Sequence, residues 1–447
     1  VESTVALSGS TSYKRRNVIL GFMKIREKAV SAAPQPYKGL VRPFRGLRPA
    51  PDKASDVAAP PYDVLNSAEA RERAAGKPLS FLHISKAEID LPEGTDPMAS
   101  EVYAKAAENL NKMVNDGVLI RDEAPCYYAY RIKMGDHIQT GAVVGASVAA
   151  YDTNDIRKHE FTRPDKEDDR VRQIEAVDAQ TGPVLLTHRP HDDIKEALAK
   201  VSEAAPTYDV TADDGIQHTL WVIEDTLTLN ILTASFESLG ALYIADGHHR
   251  SASASRVAAA RRDGAASDIA EYFLAVAFAT DEMQVLDYNR VVTDLNGRMP
   301  EDFLDEVKQR FHLVKASQAA KPTEAHTYGM YLEGQWYMLA PKEDLPGEDQ
   351  PVERLDVSLI HDRLIEPILG ISDPRRDKRI DFVGGIRGMK ELEKRVNSGE
   401  MEVAFALFPT RMKDLLAVAD AGEVMPPKST WFEPKLADGL VSYALWD

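Results

Sequence analysis

The sequence predicts an α/β fold with α+β mixing, and three observations carry that expectation. The apolar run Leu242-Tyr243-Ile244-Ala245 ends in Asp246-Gly247 and is followed by Ser251–Arg262, a stretch rich in Ala and Arg and free of Gly and Pro. That order reads as strand, glycine turn and helix. Tyr272–Ala279 is apolar throughout, as expected of a central strand covered on both faces. Around these two segments strand-like and helix-like patterns alternate as far as Arg290, the signature of layered helices and sheet.

Taken in order, Glu101–Asn115 spaces its apolar residues for a helix closed by Asp116-Gly117. Tyr127–Met134 and Gly141–Tyr151 read as paired strands. Val171–Ala179 reads as a helix stopped by Gly182-Pro183, and Val184–Thr187 as the next strand. Ile194–Ala204 is helical in pattern, Leu220–Ile223 a strand, and Leu227–Phe236 a mixed segment. Polar residues from Thr280 to Arg290 are expected at a strand end, closing over a pocket. Further on, a helix is expected at Phe303–Phe311, a strand pair at Thr327–Leu332 and Gln335–Leu339, and a helix at Val357–Leu369 capped by Gly370. A buried strand at Val403–Phe408 and a helix at Met412–Ala421 closed by Gly422 complete the pattern.

A chain of 447 residues exceeds what one core normally serves. The expected division is a disordered or targeting tail over 1–38, an N-terminal α/β region over 39–140, a core over 141–295 and a C-terminal α/β region over 296–447. The tail is locally basic, with Lys14, Arg15, Arg16, Lys24, Arg26 and Lys28 against Glu2 and Glu27. It is read as a disordered tail or the remnant of an organelle-targeting peptide. Lys+Arg 54 against Asp+Glu 71 gives a net charge of −17, which argues against nucleic acid as a partner, since phosphate neutralisation supplies most non-specific affinity. The lone Cys126 excludes an internal disulfide and a cysteine zinc site and fits a cytoplasmic location. No run approaches the roughly 18 apolar residues of a membrane span. Oligomeric state is not legible.

Four motifs carry chemistry. Asp246-Gly247-His248-His249-Arg250 sits where a strand delivers a helix start. Free backbone N–H groups and the positive end of the helix dipole make such a place an anion cradle, and three adjacent titratable or cationic groups there repel one another without an anion. Asp246 would hold a metal ion or a hydroxyl. In Ile156-Arg157-Lys158-His159-Glu160-Phe161-Thr162, the His-Glu pair fails as a zinc-protease motif because position 163 is Arg where a second His is required; Glu160 reads either as a base or as a solvated ion-pair partner. Pro60-Pro61-Tyr62-Asp63 is stiffened against helix and reads as structural. Pro426-Pro427-Lys428-Ser429-Thr430-Trp431 is a second proline-stiffened loop, presenting a cation and two hydroxyls.

With IRKHEFT, YIADGHHR and EVMPPKSTWFEPK present in this order, the chain resembles a broad family of mostly uncharacterised proteins related to the free-serine kinases of the SerK type, from about Gly39 to the C-terminus. Those kinases share the ParB/sulfiredoxin-like fold, so the resemblance implies a nucleotide-binding core of that kind over 141–295. It implies that Gly247, His248, His249 and Arg250 bind nucleotide phosphates and that Glu160, beside His159, is the base acting on a serine hydroxyl, with Asp246 as a further catalytic group. It also implies that Lys428, Ser429 and Thr430 lie beside the amino-acid substrate, with Lys428 or Arg290 on its carboxylate. The partners so implied are ADP or ATP as phosphoryl donor, Mg²⁺ held by Asp246, and serine or another hydroxyl compound. Residues 39–140, with PPYD, are an addition to the shorter kinases. Two other functions stay open: a nucleotide hydrolase or switch like the CTP-binding partitioning proteins, and a non-catalytic nucleotide-binding regulator.

Overall fold

A computed structural model describes residues 39–262 and 268–446; the expectation of a tail over 1–38 lies outside them. The α/β class holds. The largest sheet is ordered Ile156–Arg157, Leu242–Asp246, Val184–His188, Tyr272–Ala279, His137–Ser147, Tyr127–Met134, Gln217–Ile223 and Tyr208–Thr211, with Val41–Arg42 added beside His137–Ser147. Tyr272–Ala279 is parallel to one neighbour and antiparallel to the other, so both its edges are hydrogen-bonded. Both its faces are covered as well, which is why the sequence there is apolar without alternation. Along Tyr127–Ile132 successive residues enter different cores: Tyr128, Tyr130 and Ile132 one, Tyr127 and Ala129 the other, as the two-residue period of a strand requires.

One pairing positions the site. Leu242–Asp246 runs parallel to Ile156–Arg157, with Leu242 opposite Ile156 and Tyr243 opposite Arg157. Parallel strands end at the same edge, so the turn at Gly247 and the turn carrying His159-Glu160 leave the sheet side by side. A second sheet, ordered Phe311–Ala316, Gln335–Pro341, Tyr328–Leu332, Val403–Leu407, Tyr288–Val292 and Ile380–Gly384, is antiparallel throughout. Ser442–Ala444 brings the C-terminus back between Gly46–Pro49 and Ala179–Gln180. An isolated bridge from Ala59 to Asp438 ties that returning strap to the segment entering PPYD.

Several element boundaries differ from expectation. The strand read over Gly141–Tyr151 ends at Ser147, and Val148–Thr153 is a short helix. Ser147 caps it by accepting the Ala150 N–H, and a Val-Ala-Ala-Tyr run carries no period to separate strand from helix. The helix read from Val171 starts at Pro164, which takes the first helical position, and ends at Val177. Leu227–Phe236 lies inside a helix, Thr226–Ser238, capped by the Asp225 carboxylate. The helix expected over Val357–Leu369 holds a π-helical turn at His361–Ile365 before its left-handed Gly370 cap.

Candidate active site

Leu242–Asp246 is followed by Gly247 with φ +96° and then a helix over His248–Arg262. The positive φ suits glycine, and an added Cβ would stand 3.1 Å from the Arg250 side chain and 3.3 Å from the Val184 backbone. His248, His249 and Arg250 form the first turn of the helix, whose leading N–H groups have no intrahelical acceptor. They open onto a cleft of about 1070 Å³, also lined by His159, Glu160, the Pro60–Leu65 segment and the Lys428–Glu433 loop. Three separate sequence motifs therefore meet, and PPYD joins them.

At the edge of this cleft, Glu160 Oε2 stands 3.6 Å from His248 Nδ1. His248 Nε2 faces the His159 N–H at 3.4 Å and can only accept there, which leaves the ring proton on Nδ1, directed at Glu160. The two imidazoles meet edge to face at 4.5 Å. Burial lowers both rings, His159 to about 4 and His248 well below the ordinary histidine value. His249 is lowered too, first by burial and then by Arg163; its Nε2 accepts the Arg163 N–H at 3.0 Å. The repulsion expected within His-His-Arg is thus relieved by deprotonation, and Arg250 alone carries full charge.

Arg250 donates to the Pro183 carbonyl and lies 3.6 Å from Asp63 and 3.8 Å from Asp246. Burial opposes ionisation of Asp246, yet Lys435, at 3.6 Å, and Arg250 outweigh it and hold the carboxyl low. His248 is neutral and adds little. Glu160 is pushed up by burial and by Asp246 and pulled down by Lys428; its side chain is 51% exposed into the cleft, so the shift is softened by water. Asp438, 1% exposed, is pushed up to about 8 by burial, against the pull of Arg250.

In the C-terminal loop, Lys428 adopts φ +60° and its Nζ lies 5.5 Å from the Tyr288 ring centre. Ser429 is buried, its hydroxyl donated to the Pro426 carbonyl at 2.5 Å. Thr430 lines the cleft. Arg290 takes a different place from the one expected. It is 4% exposed, donates to the carbonyls of Tyr288 and Lys428, and does not line the cleft. The β-strand that carries it points it behind the loop, where it braces Lys428. Sequence reasoning missed Asp63, Lys435 and Asp438. For Asp63 and Lys435 the motifs were visible, but the long-range partners that give them meaning were not.

A family model described as "Protein of unknown function (DUF1015)" matches residues 41–358, and the chain belongs to that family. No curated protein matches it. Among solved structures, it is similar to a free serine kinase in complex with AMP, at 14% identity and TM-score 0.32, over 65% of this chain and 86% of that one. It is also similar to SbnI with a C-terminal truncation from Staphylococcus aureus, at 14% identity and TM-score 0.34, over 66% and 84% of the two chains. A third is a conserved hypothetical protein from Pyrococcus furiosus, at 13% identity and TM-score 0.31, over 66% and 94%. At these scores the likenesses carry no argument about activity.

Proposed function

We propose that this member of the DUF1015 family is a nucleotide-dependent kinase of a small hydroxyl compound, with free L-serine as the leading acceptor and O-phospho-L-serine as the product. The observation that carries the reading is the placement of Glu160 at the start of the His248–Arg262 helix. A carboxylate that can take a proton stands beside a helix start that can hold phosphates, within one cleft. Phosphoryl transfer asks for little more than this positioning and charge stabilisation.

The helix N-terminus and Arg250 hold the terminal phosphates of ADP or ATP. Glu160 removes the hydroxyl proton as the acceptor oxygen bonds to the terminal phosphorus. The bond from that phosphorus to the bridging oxygen breaks, and the nucleotide leaves with the electron pair. The Nδ1–H of His248 stabilises Glu160 as the carboxylate, and Lys428 binds the acceptor's carboxylate. Asp246 offers an ionised oxygen beside the phosphate cradle, and Mg²⁺ bound with phosphates needs only one or two such ligands. Asp246 would hold the ion, which neutralises charge on the phosphates.

The test is incubation with labelled ADP or ATP, Mg²⁺ and a panel of hydroxyl compounds including L-serine. Label arriving in one acceptor, and lost with Glu160→Gln, supports the reading. Nucleotide turnover with no acceptor labelled would make the protein a hydrolase, and binding without turnover a regulator.

A further inference from the structure

The outer arm of the cleft holds an imidazole whose proton position is set by its neighbours. His218 lies on the Gln217–Ile223 strand, opposite Ile132 on one side and Val210 on the other. It is 5% exposed and lines the cleft. Its Nδ1 is 2.7 Å from the Tyr130 hydroxyl, and that hydroxyl accepts the Ala437 N–H at 3.2 Å. Tyr130 is itself 2% exposed, so its proton needs an acceptor. Ala437 offers only a donor, which leaves His218 Nδ1 to take the Tyr130 proton. The ring is then uncharged, with its own proton on Nε2. Burial lowers His218 to about 4 against the opposing pull of Asp214, in keeping with that assignment. Nε2 has no hydrogen bond among the described residues and is not among their buried unpartnered atoms. The solvent it meets is the cleft.

We infer that His218 is a ligand-binding residue, presenting a fixed Nε2–H donor to an uncharged acceptor atom, a carbonyl or hydroxyl oxygen or a ring nitrogen, on the molecule that fills the cleft. The surroundings select for an uncharged group. Met134, Ile216 and Leu436 line this arm with apolar surface, and Asp213 and Asp214 stand on the adjoining turn. Lys77 pairs with Asp213 at 2.6 Å and Arg73 acts on the same carboxylate, so the two cations of this arm are balanced by Asp213 and Asp214. The strap's Ala437 N–H occupies the Tyr130 oxygen, so its seating fixes the direction of the Tyr130–His218 bond. The inference rests on the cleft being the ligand site, and it specifies what one end of the ligand carries.

Two measurements on the full chain test it. In ¹⁵N-histidine-labelled protein, His218 should show a protonated Nε2 and an unprotonated Nδ1, and Tyr130→Phe should let the two tautomers mix. The reverse tautomer in the wild type would overturn the inference. Calorimetry with ADP–Mg²⁺ and with L-serine separately should find His218→Ala about tenfold weaker for one of them, with His218→Gln, which keeps an N–H donor, recovering part of the loss. Unchanged affinity for both would overturn it. If the wild type binds neither probe, the kinase reading falls on its own. The His218 Nε2 resonance is then followed against a panel of nucleosides and uncharged hydroxyl compounds, where a shift upholds the inference and no shift sinks it.

Discussion

Glu160 Oε2 lies 3.6 Å from His248 Nδ1, while the opposite nitrogen of the same ring faces the His159 N–H. A neutral imidazole so oriented favours the carboxylate form of Glu160, and its geometry is fixed by the backbone of the residue next to Glu160. Glu160 and the start of the His248–Arg262 helix are therefore coupled through one ring.

The pH–rate profile should carry that coupling. Burial and Asp246 raise Glu160 above the ordinary 4.5. A base fails when protonated, so the rate should fall as pH drops through the raised value, at higher pH than a free glutamate would give. Lys428 pulls Glu160 down; Lys428→Met should move the acid limb to still higher pH, besides raising KM for a carboxylate-bearing acceptor. A limb that stays in place would remove Lys428 from the field of Glu160.

Arg250 is the one full positive charge in the first turn of the His248–Arg262 helix. Arg250→Ala should weaken nucleotide binding by about 1.5–3 kcal/mol, read by calorimetry with ADP. Asp63→Asn removes a carboxylate that competes for the guanidinium at 3.6 Å, and should strengthen binding or leave it unchanged. Weakened binding in that variant would mean that Asp63 orients Arg250 rather than competing for it.

Asp438 should govern stability against pH. Its carboxyl, buried beside Arg250, is raised from 3.8 to about 8, chiefly by that burial. A group that binds its proton more tightly in the folded state stabilises the fold below its unfolded pKa. That contribution is lost as pH rises through the folded value. Thermal melts should therefore show stability declining between about pH 4 and pH 8. Asp438→Asn should flatten the decline and raise Tm at pH 8, by about 1 °C for each ~1 kcal/mol recovered in a unit of this size.

Lys428 occupies the left-handed region at φ +60°, which costs a non-glycine residue about 1 kcal/mol or more. Lys428→Gly should be more stable than Lys428→Ala by about that amount in urea melts, though both lose the amine. Equal stability would show that the loop relaxes.

Much of the site was legible because it is local. Strand, Asp-Gly and helix lie within one stretch, and glycine at φ +96° is what such a turn demands. The charge state of His248 and His249 was not legible, since burial by distant elements decides it. The polar stretch Thr280–Arg290 predicts Arg290 closing over a pocket, but the side of its strand depends on the second sheet, which closes with residues 403–407. Asp63 and Lys435 reach Arg250 and Asp246 across long stretches of chain, a relation with no period or spacing to betray it. The helix at Val148–Thr153 was missed because a short apolar run fits strand and helix alike, and the π-turn at His361–Ile365 because one extra residue in a helical turn leaves the apolar spacing of a helix intact.

The most direct test of the central claim is transfer of the terminal phosphate. Wild-type protein, with Mg²⁺ and ATP or ADP labelled on that phosphate, is given L-serine and a set of other hydroxyl compounds, and products are resolved by ³¹P NMR. The expected result is a phosphomonoester on one acceptor, with O-phosphoserine first, whose formation falls by about 10²–10⁴-fold in Glu160→Gln while nucleotide affinity is kept. A phosphorylated acceptor formed equally fast by Glu160→Gln, or none formed by the wild type, would contradict it.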